Sequence, residues 1–461
     1  MKQSEQTISK AMALLNQGKY KSAQHICKRI IARAPLHYQA NLLSGVIALN
    51  TGELVIAEKL LQIAQKSAQS HNDKAQALSN LSLSLNYQQR FPEALEYISQ
   101  AISLRKQPLF YCNRANIFEQ LSRWSEMHED LTTALTYSPN ILDAIISLAV
   151  AKRHLNDPTT ALALLESHPE YHDQEWLNEW ALLSSLNNHL ENVEKQLSAL
   201  SLSDSAMINL GDYALEQNHP DIAQKLYLLV KSRLPNNPIL NHQLNALQGI
   251  SSAQAPREYV ESLFNSCADK FDNRLVNQLQ YTLPEQLIES LHLFLPSTAI
   301  SAIDLGCGTG LLGRALSAKA LIATLTGVDV SEAMLEQAMH TKLYHHLIHD
   351  DIVTSLQEAK GTDLIMAADV LIYLGELDIL FNRVSHALKK DGLFAFSTES
   401  CKTSWQIEQS GRYQHSTEYI CSLMTKNSFS LLHSTTCHLR LEKNHPVSGE
   451  IFILKKIESA T

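Results

Sequence analysis

No pair of cysteines in this 461-residue chain stands in a Cys-x-x-Cys spacing; the seven, Cys27, Cys112, Cys267, Cys307, Cys401, Cys421 and Cys437, are scattered. Disulfide frameworks and cysteine zinc sites both need clustered thiols, so neither is expected. No run of 18 uncharged apolar residues occurs, and the most apolar stretch, residues 141–151, is short and interrupted by Asp143. A bilayer-spanning helix is therefore excluded. The opening, residues 1–20, has Lys2 but no apolar core region, so no signal peptide is expected and a cytoplasmic protein is the default. Positive charge is also scarce, with 38 Lys and Arg against 47 Asp and Glu and a net charge of −9. A body built to neutralise phosphates would show the reverse, which disfavours nucleic-acid binding.

What remains is a globular composition, 45% apolar and 18% charged, long enough for two or three domains. The first half repeats itself. Gly18-Lys-Tyr20 followed by Ala23 recurs 34 residues later as Gly52-Glu-Leu54 followed by Ala57. Ala11 and Gly45 stand seven positions before each Gly, and Pro35 closes the first unit. Ser82, Phe91, Ala94, Ile98 and Ala101 form a third copy after a three-residue insertion. Ala115, Trp124, Leu131, Ala134 and Pro139 form a fourth, and Ala149, Ala161 and Leu165 suit a fifth. Residues 170–203 fit poorly and read as a degenerate unit; Gly211, Ala223, Tyr227, Val230 and Pro235 form a late copy.

This pattern resembles the tetratricopeptide repeat over residues 4–240. Each unit is then a helix pair in which small residues allow close approach and Tyr20, Leu54, Phe91 and Trp124 fill the space between. One pair cannot bury its apolar face alone, so units stack into a solenoid. The competing reading is a helical bundle with coincidental spacing. The resemblance implies a concave face that binds a protein or peptide partner, although such an array can also be mere scaffold. After Pro235-Asn-Asn-Pro238, a helix over 239–247 is expected to cap the stack. Residues 250–256, rich in small residues and ending in Pro256, then read as a linker. This divides the chain into an all-α repeat domain over 1–249 and a second domain over 257–461.

In the second domain, strand-like apolar runs alternate with helical stretches. Strands are expected at 299–305, 325–330, 344–348, 363–367 and 392–397, and helices at 311–320, 331–340 and 376–388. A helix at 418–425 and an antiparallel hairpin from 430–437 and 449–455 follow. Such alternation gives an α/β, Rossmann-like, doubly wound and mostly parallel sheet.

The sharpest signal is Ile303-Asp304-Leu305-Gly306-Cys307-Gly308-Thr309-Gly310-Leu311, leaving a strand and opening a helix. Glycines let the backbone bend tightly and let a ligand approach where a Cβ would collide. A dinucleotide fold wants Gly-x-Gly-x-x-Gly, but Leu311 stands at its last position. Acid-x-Gly-x-Gly-x-Gly instead resembles the first motif of class I S-adenosylmethionine (SAM) dependent methyltransferases. The bland alternative is a plain strand–helix turn.

The resemblance implies a SAM site. Asp304 suits the ammonium group, and Gly306, Cys307, Gly308, Thr309 and Gly310 form the bend around the amino-acid moiety. Asp329, ending the second strand, suits the ribose hydroxyls; Ser331 already serves as the helix cap there. Val330 and Met334 are candidates for the adenine face, against ordinary core burial. In His349-Asp350-Asp351-Ile352, Asp351 is preferred for the adenine amine, with Asp350 second and Ile352 beside them. Residues 367–374, with Ala368, Asp369 and Tyr373, match the family's segment beneath the methyl group. No metal site is expected: His345-His346-x-x-His349 would be split across the faces of a strand.

Lys270-Phe271-Asp272 with Leu275 and Tyr281, Gly411-Arg412-Tyr-Gln-His415-Ser416, and Arg440 with Pro446-Val-Ser-Gly449 resemble predicted bacterial methyltransferases that carry tetratricopeptide repeats. The domain is also similar to small-molecule methyltransferases of the trans-aconitate, biotin-precursor and quinone-precursor kind. Methyl transfer from a sulfonium is an in-line displacement, for which holding donor and acceptor near ~3 Å supplies most of the catalysis. A base is needed only where the acceptor keeps its proton. Asp369 can contact the cofactor or take a proton, Tyr373 can orient the acceptor, and His415 can act as base, against a structural role. Arg412 can pair with a carboxylate acceptor, and Phe271, placed with it on the substrate side, belongs to a helix that can close over SAM, against an ordinary packed helix. The expected function is thus SAM-dependent methyl transfer to an unidentified acceptor: a small molecule, a carrier-bound acid or a protein. The alternative is a repeat scaffold whose second domain is weakly active or inactive.

Overall fold

The computed structural model describes every residue except Met1, 169–172, 266–267, 269–270, 272–280, 443–444 and 459–461. Lys270, Asp272 and Leu275 lie outside the described residues. The chain divides into two compact units, Met1–Gln217 and Asn218–Thr461. No helix among the described residues is long and apolar enough to cross a membrane.

The first unit is an array of antiparallel helices, beginning with Lys2–Asn16, Tyr20–Arg33, Tyr38–Asn50 and Leu54–Ser67. Its period is written in backbone angles more regularly than in residue types. Each turn within a helix pair places one residue in the left-handed region: Gly18, Gly52, Gln89, Ser122, Asn156 and Asn188. Glycine adopts that conformation freely and Asn at modest cost, so the repeat survives loss of its glycine. Asn188 lies in the degenerate stretch, which is an ordinary helix pair of Gln174–Leu186 and Leu190–Ala199. The small residues sit where helices touch. Ala23, Ala57, Ala94 and Ala134 are fully buried. A Cβ on Gly45 would stand 2.6 Å from Leu61 Cγ. Asp157, Asp173 and Ser203 cap their helices by accepting amide N–H bonds.

The second unit centres on a seven-stranded sheet. Its strands are β1 (Ile300–Leu305), β2 (Ile322–Asp329), β3 (His346–His349), β4 (Thr362–Ala367), β5 (Leu388–Glu399), β8 (Phe429–Glu442) and β9 (His445–Lys456). The order is β3-β2-β1-β4-β5-β9-β8. The first five strands are parallel, while β9 runs antiparallel to both β5 and β8. Leu364, Ile365, Met366 and Ala367 are all fully buried, as strands covered on both faces must be. One face packs Phe381, Phe394 and Phe396 with Ile420 and Leu423; the other packs Leu283, Leu287, Leu312 and Leu316. Strand order reverses between β1 and β4, and ligands bind in the crevice such a reversal leaves at the strands' C-terminal ends.

Two features differ from expectation. The helix Pro238–Gln248, expected to cap the array, belongs to the second unit. Its His242 Nε2 bonds the Gly411 carbonyl at 2.9 Å, and Ala246 packs with Tyr259, Ile407 and Tyr413. The segment 250–256 is not a free linker, because its backbone is tied down. Gly375 and Glu376 donate amide N–H bonds to the Ala253 carbonyl, Ala255 N–H bonds the Tyr373 carbonyl, and Ser252 Oγ meets the Tyr413 hydroxyl at 2.7 Å. Tyr413 lies on a short hairpin, β6 (Trp405–Ile407) and β7 (Tyr413–His415), too brief to leave a two-residue period, while Tyr373, Gly375 and Glu376 follow β4.

Candidate functional site

Glycine geometry sets the bend after β1. Gly306, Gly308 and Gly310 all have positive φ (65°, 52° and 95°). A Cβ on Gly306 would stand 2.4 Å from Val370 Cγ2, so that glycine is required by packing. Among the described residues a Cβ on Gly308 would meet only the Phe271 ring, at 3.9 Å, an ordinary contact that crowds nothing. That is the signature of a cradle rather than a plain turn.

Two carboxylates hold the bend. Asp329, at the end of β2, accepts the Gly308 N–H at Oδ2 and the Ser331 N–H at Oδ1, both at 2.8 Å. Asp304, at the end of β1, is 1% exposed. It accepts the Tyr344 hydroxyl at Oδ2, 2.7 Å away, while Oδ1 is buried with no donor among the described residues. Burial pushes the Asp304 carboxyl up to about 7, the Tyr344 bond opposing the rise and the Asp329 charge adding to it. Burial also raises the Asp329 carboxyl, against its amide bonds. Cys307 is buried beside them, its thiol driven upward by desolvation and both acids. Thr309 is buried as well.

The remaining residues expected at the cofactor side separate. Val330 is partly buried and its carbonyl accepts from His349 Nε2 at 2.8 Å. Met334 is fully buried, which gives it to the core rather than to a ligand face. Asp351 caps the short helix Ile352–Ser355, its Oδ1 accepting from Val353 and Thr354 N–H at 2.8 and 3.2 Å. That leaves only Oδ2 for a ligand amine. Asp350 Oδ1 accepts the Asp351 N–H at 2.7 Å and lies 3.6 Å from Arg257. Ile352 is buried in the core on one face of the sheet, and Ala368 packs partly buried against the core on the other.

A helix ahead of the sheet, Arg257–Asn265, reaches this end of the strands. Asn265 Oδ1 accepts the Ser331 hydroxyl at 2.6 Å. Phe264 makes edge-to-face contacts with Phe271, centroids 5.8 Å apart, and with Tyr373, 5.6 Å apart. Phe271 therefore stands over Gly308, on the cofactor side rather than among acceptor groups. Tyr373 joins the two sides: Arg412 hydrogen-bonds its hydroxyl, while burial raises its pKa.

Asp369 adopts a left-handed conformation, φ 57°, with its amide donating to Ser397 Oγ at 2.9 Å. Its Oδ1 accepts from Arg440 Nη1 at 2.6 Å, and Arg440 Nη2 also donates to Glu399 Oε1. Asp369 is thus held in a buried ion cluster, not poised alone as a base. His415 is 1% exposed, bonds the Gly375 carbonyl through Nε2 at 3.0 Å, and burial lowers its pKa to about 4. These contacts give it a role in anchoring β7 and argue against a base. Sequence reasoning missed Tyr344, Phe264, Glu399 and any role for Arg440. None sits in a local motif, and only burial among chain-distant partners marks them.

Comparisons with known proteins bear on both units. Residues 303–394 match a family model described as a methyltransferase domain, and residues 8–73 and 75–107 match tetratricopeptide repeat models. A malonyl-[acyl-carrier protein] O-methyltransferase from Legionella pneumophila is 25% identical over 170 residues, covering 35% of this chain and 58% of that protein. Another of that name, from Halalkalibacterium halodurans, is 29% identical over 163 residues, covering 33% and 59%. The chain spans about half the length of the curated relatives it matches. The rat mitochondrial import receptor subunit TOM70 is 31% identical over 106 residues, 20% of this chain and 17% of that protein. Among solved structures, magnesium protoporphyrin IX methyltransferase from Synechocystis with bound SAM aligns at 18% identity and a TM-score of 0.35, covering 45% of this chain and all of that one. The chain carries tetratricopeptide repeats in its first half and a domain of the class I S-adenosylmethionine-dependent methyltransferase family in its second.

Proposed function

We propose that this protein is a SAM-dependent methyltransferase acting on an acid, free or carrier-bound, with the repeats recruiting a protein or peptide partner. The observation that carries the reading is the cradle. Among the described residues a Cβ on Gly308 would meet only Phe271, Asp329 pins the glycine, and the buried Asp304 Oδ1 lacks a donor. Two buried acids with no lysine or arginine partner among the described residues suit a ligand that brings an ammonium and a sulfonium. When bound, SAM supplies a methyl group already activated by the positive sulfur. The chain's part is to bind, orient and keep water out. Gly308 and Asp329 shape the cradle, and Phe264, Phe271 and Tyr373 cover it with aromatic surface. Arg412 and Tyr373 are the acceptor-side groups: the guanidinium suits a carboxylate, and the hydroxyl is kept protonated by burial. An ionised carboxylate needs no base, which fits the engagement of Asp369 and His415 elsewhere. The names of the curated relatives, methyltransferases of a malonyl carrier protein, support an acid acceptor.

For the repeats, a cleft of about 680 Å³ in the first unit supports partner binding; Arg105, Lys106, Asn113, Asn116 and Tyr137 line it. The six cysteines among the described residues are free, which suits the reducing cytoplasm.

Titrating the full chain with SAM by calorimetry tests the central reading. Saturable binding is expected; its absence would favour the rival, a repeat scaffold with an idle domain. Gly308→Ala sharpens the test. Its Cβ meets little protein, so unfolding free energy should fall by only about 1–2 kcal/mol for the left-handed backbone. Binding of SAM should weaken far more, because the methyl stands in the cradle. Equal affinity in variant and parent would show that no ligand approaches there.

A further inference from the structure

Tyr344 stands against the glycine bend, the helix that follows it and β2. A Cβ on Gly310 would lie 3.1 Å from its ring, one on Gly327 2.8 Å, and one on Gly313 2.5 Å from its hydroxyl. Three glycines from the bend, the following helix and β2 thus make room for a single phenol. The phenol's hydroxyl donates to Asp304 Oδ2 at 2.7 Å. The opposite oxygen, Oδ1, is buried with no donor among the described residues.

We propose that Tyr344 is the positioning residue of the cofactor site: it holds the Asp304 carboxylate behind the bend so that the orphaned oxygen answers the ammonium of SAM, directly or across one water. This rests on the methyltransferase reading. The groups facing Asp304 are Tyr344 at the approach to β3, Asp329 at the end of β2, Cys307 in the bend and Tyr281 ahead of the helix Leu283–Leu291. Each is neutral or acidic. Among the described residues the Tyr344 hydroxyl is the largest help to the Asp304 charge, the Gly313 backbone adds a smaller one, and the ligand's ammonium would supply the counter-ion.

The consequence is a pH dependence with a definite sign. With its carboxyl pushed up to about 7, Asp304 is protonated below neutrality in the free protein. An ammonium prefers the ionised form, so SAM affinity should fall about tenfold for each pH unit below that point. Above it, affinity should level until the ligand's own α-amino group loses its proton near ~8.

The test is calorimetric titration of the full-length protein with SAM between pH 5.5 and 8. The parent protein should show the fall. Tyr344→Phe keeps the ring among the glycines but removes the donor, so its midpoint should move to higher pH and its affinity at pH 7 should drop several-fold or more. Asp304→Asn should bind weakly with a flat profile, a result a merely packing role would not produce. A parent that binds SAM with pH-independent affinity, or a Tyr344→Phe profile that overlays the parent's, overturns the proposal while leaving the methyltransferase reading intact. Absence of binding at every pH removes both.

Discussion

Asp329→Ala is expected to weaken SAM binding by roughly 1–3 kcal/mol, about five- to a hundredfold, and to lower the stability of the second unit. The carboxylate accepts the Gly308 and Ser331 amides, so its removal leaves two donors unpaired beneath the cradle. The bend then loses one tie to β2, while the Cys307 amide bond to the Val328 carbonyl remains. Burial already disfavours the charge of Asp329, which moderates the stability loss without restoring the amides' partners. Asp329→Asn keeps an acceptor oxygen and should fall between parent and alanine variant. Calorimetry gives the affinity and urea unfolding the stability. An alanine variant that binds as tightly as the parent would take Asp329 out of the cofactor site.

Arg440→Met should be the most destabilising single change in the second unit, by about 3–5 kcal/mol. The arginine side chain is 4% exposed and bridges Asp369 and Glu399, themselves 17% and 5% exposed. Methionine fills similar volume but leaves two buried acids facing each other. The variant's pH response has a clear sign. Burial and the Asp369 charge already hold the Glu399 carboxyl above its usual range, with Arg440 opposing the rise. Without Arg440 the folded state would bind more protons than the unfolded, so the variant should regain stability as pH falls towards the ordinary carboxylate range. Urea melts at pH 7.5 and 5.5 would show it. A variant equally unstable at both would mean that lost packing, not stranded charge, is the cause. Adding Glu399→Gln should recover part of the loss at pH 7.5 for the same reason.

The two predictions differ in how visible their residues are before folding. Asp329 is legible because it ends an apolar run and is followed by a helix cap, a pattern spanning only a few residues. The same holds for the glycine bend and for most helices and strands of the second unit, whose observed bounds fall close to their apolar runs. Asp351 shows the limit of such reasoning. An acid after a strand and before a helix serves either as a ligand group or as a cap, and in the structure Oδ1 is a cap. Met334 shows another: an apolar residue in the first turn of a helix can face a ligand or the core, and burial assigns it to the core. Residues 250–256 show a third: small residues and a proline read as a linker whether or not their backbone is bonded to something distant.

By itself, the sequence determined the repeat, the parallel sheet and the bend with its acids, because each is a short-range pattern of residue size, polarity and backbone freedom. Only the tertiary structure decided which charges are partnered. Tyr344 meets Asp304 across 40 residues, and Arg440 meets Asp369 across 71. Such pairings arise when strand order closes the sheet, and burial then raises the cost of any charge left alone. No local pattern encodes that cost, since it belongs to the surroundings and not to the residue.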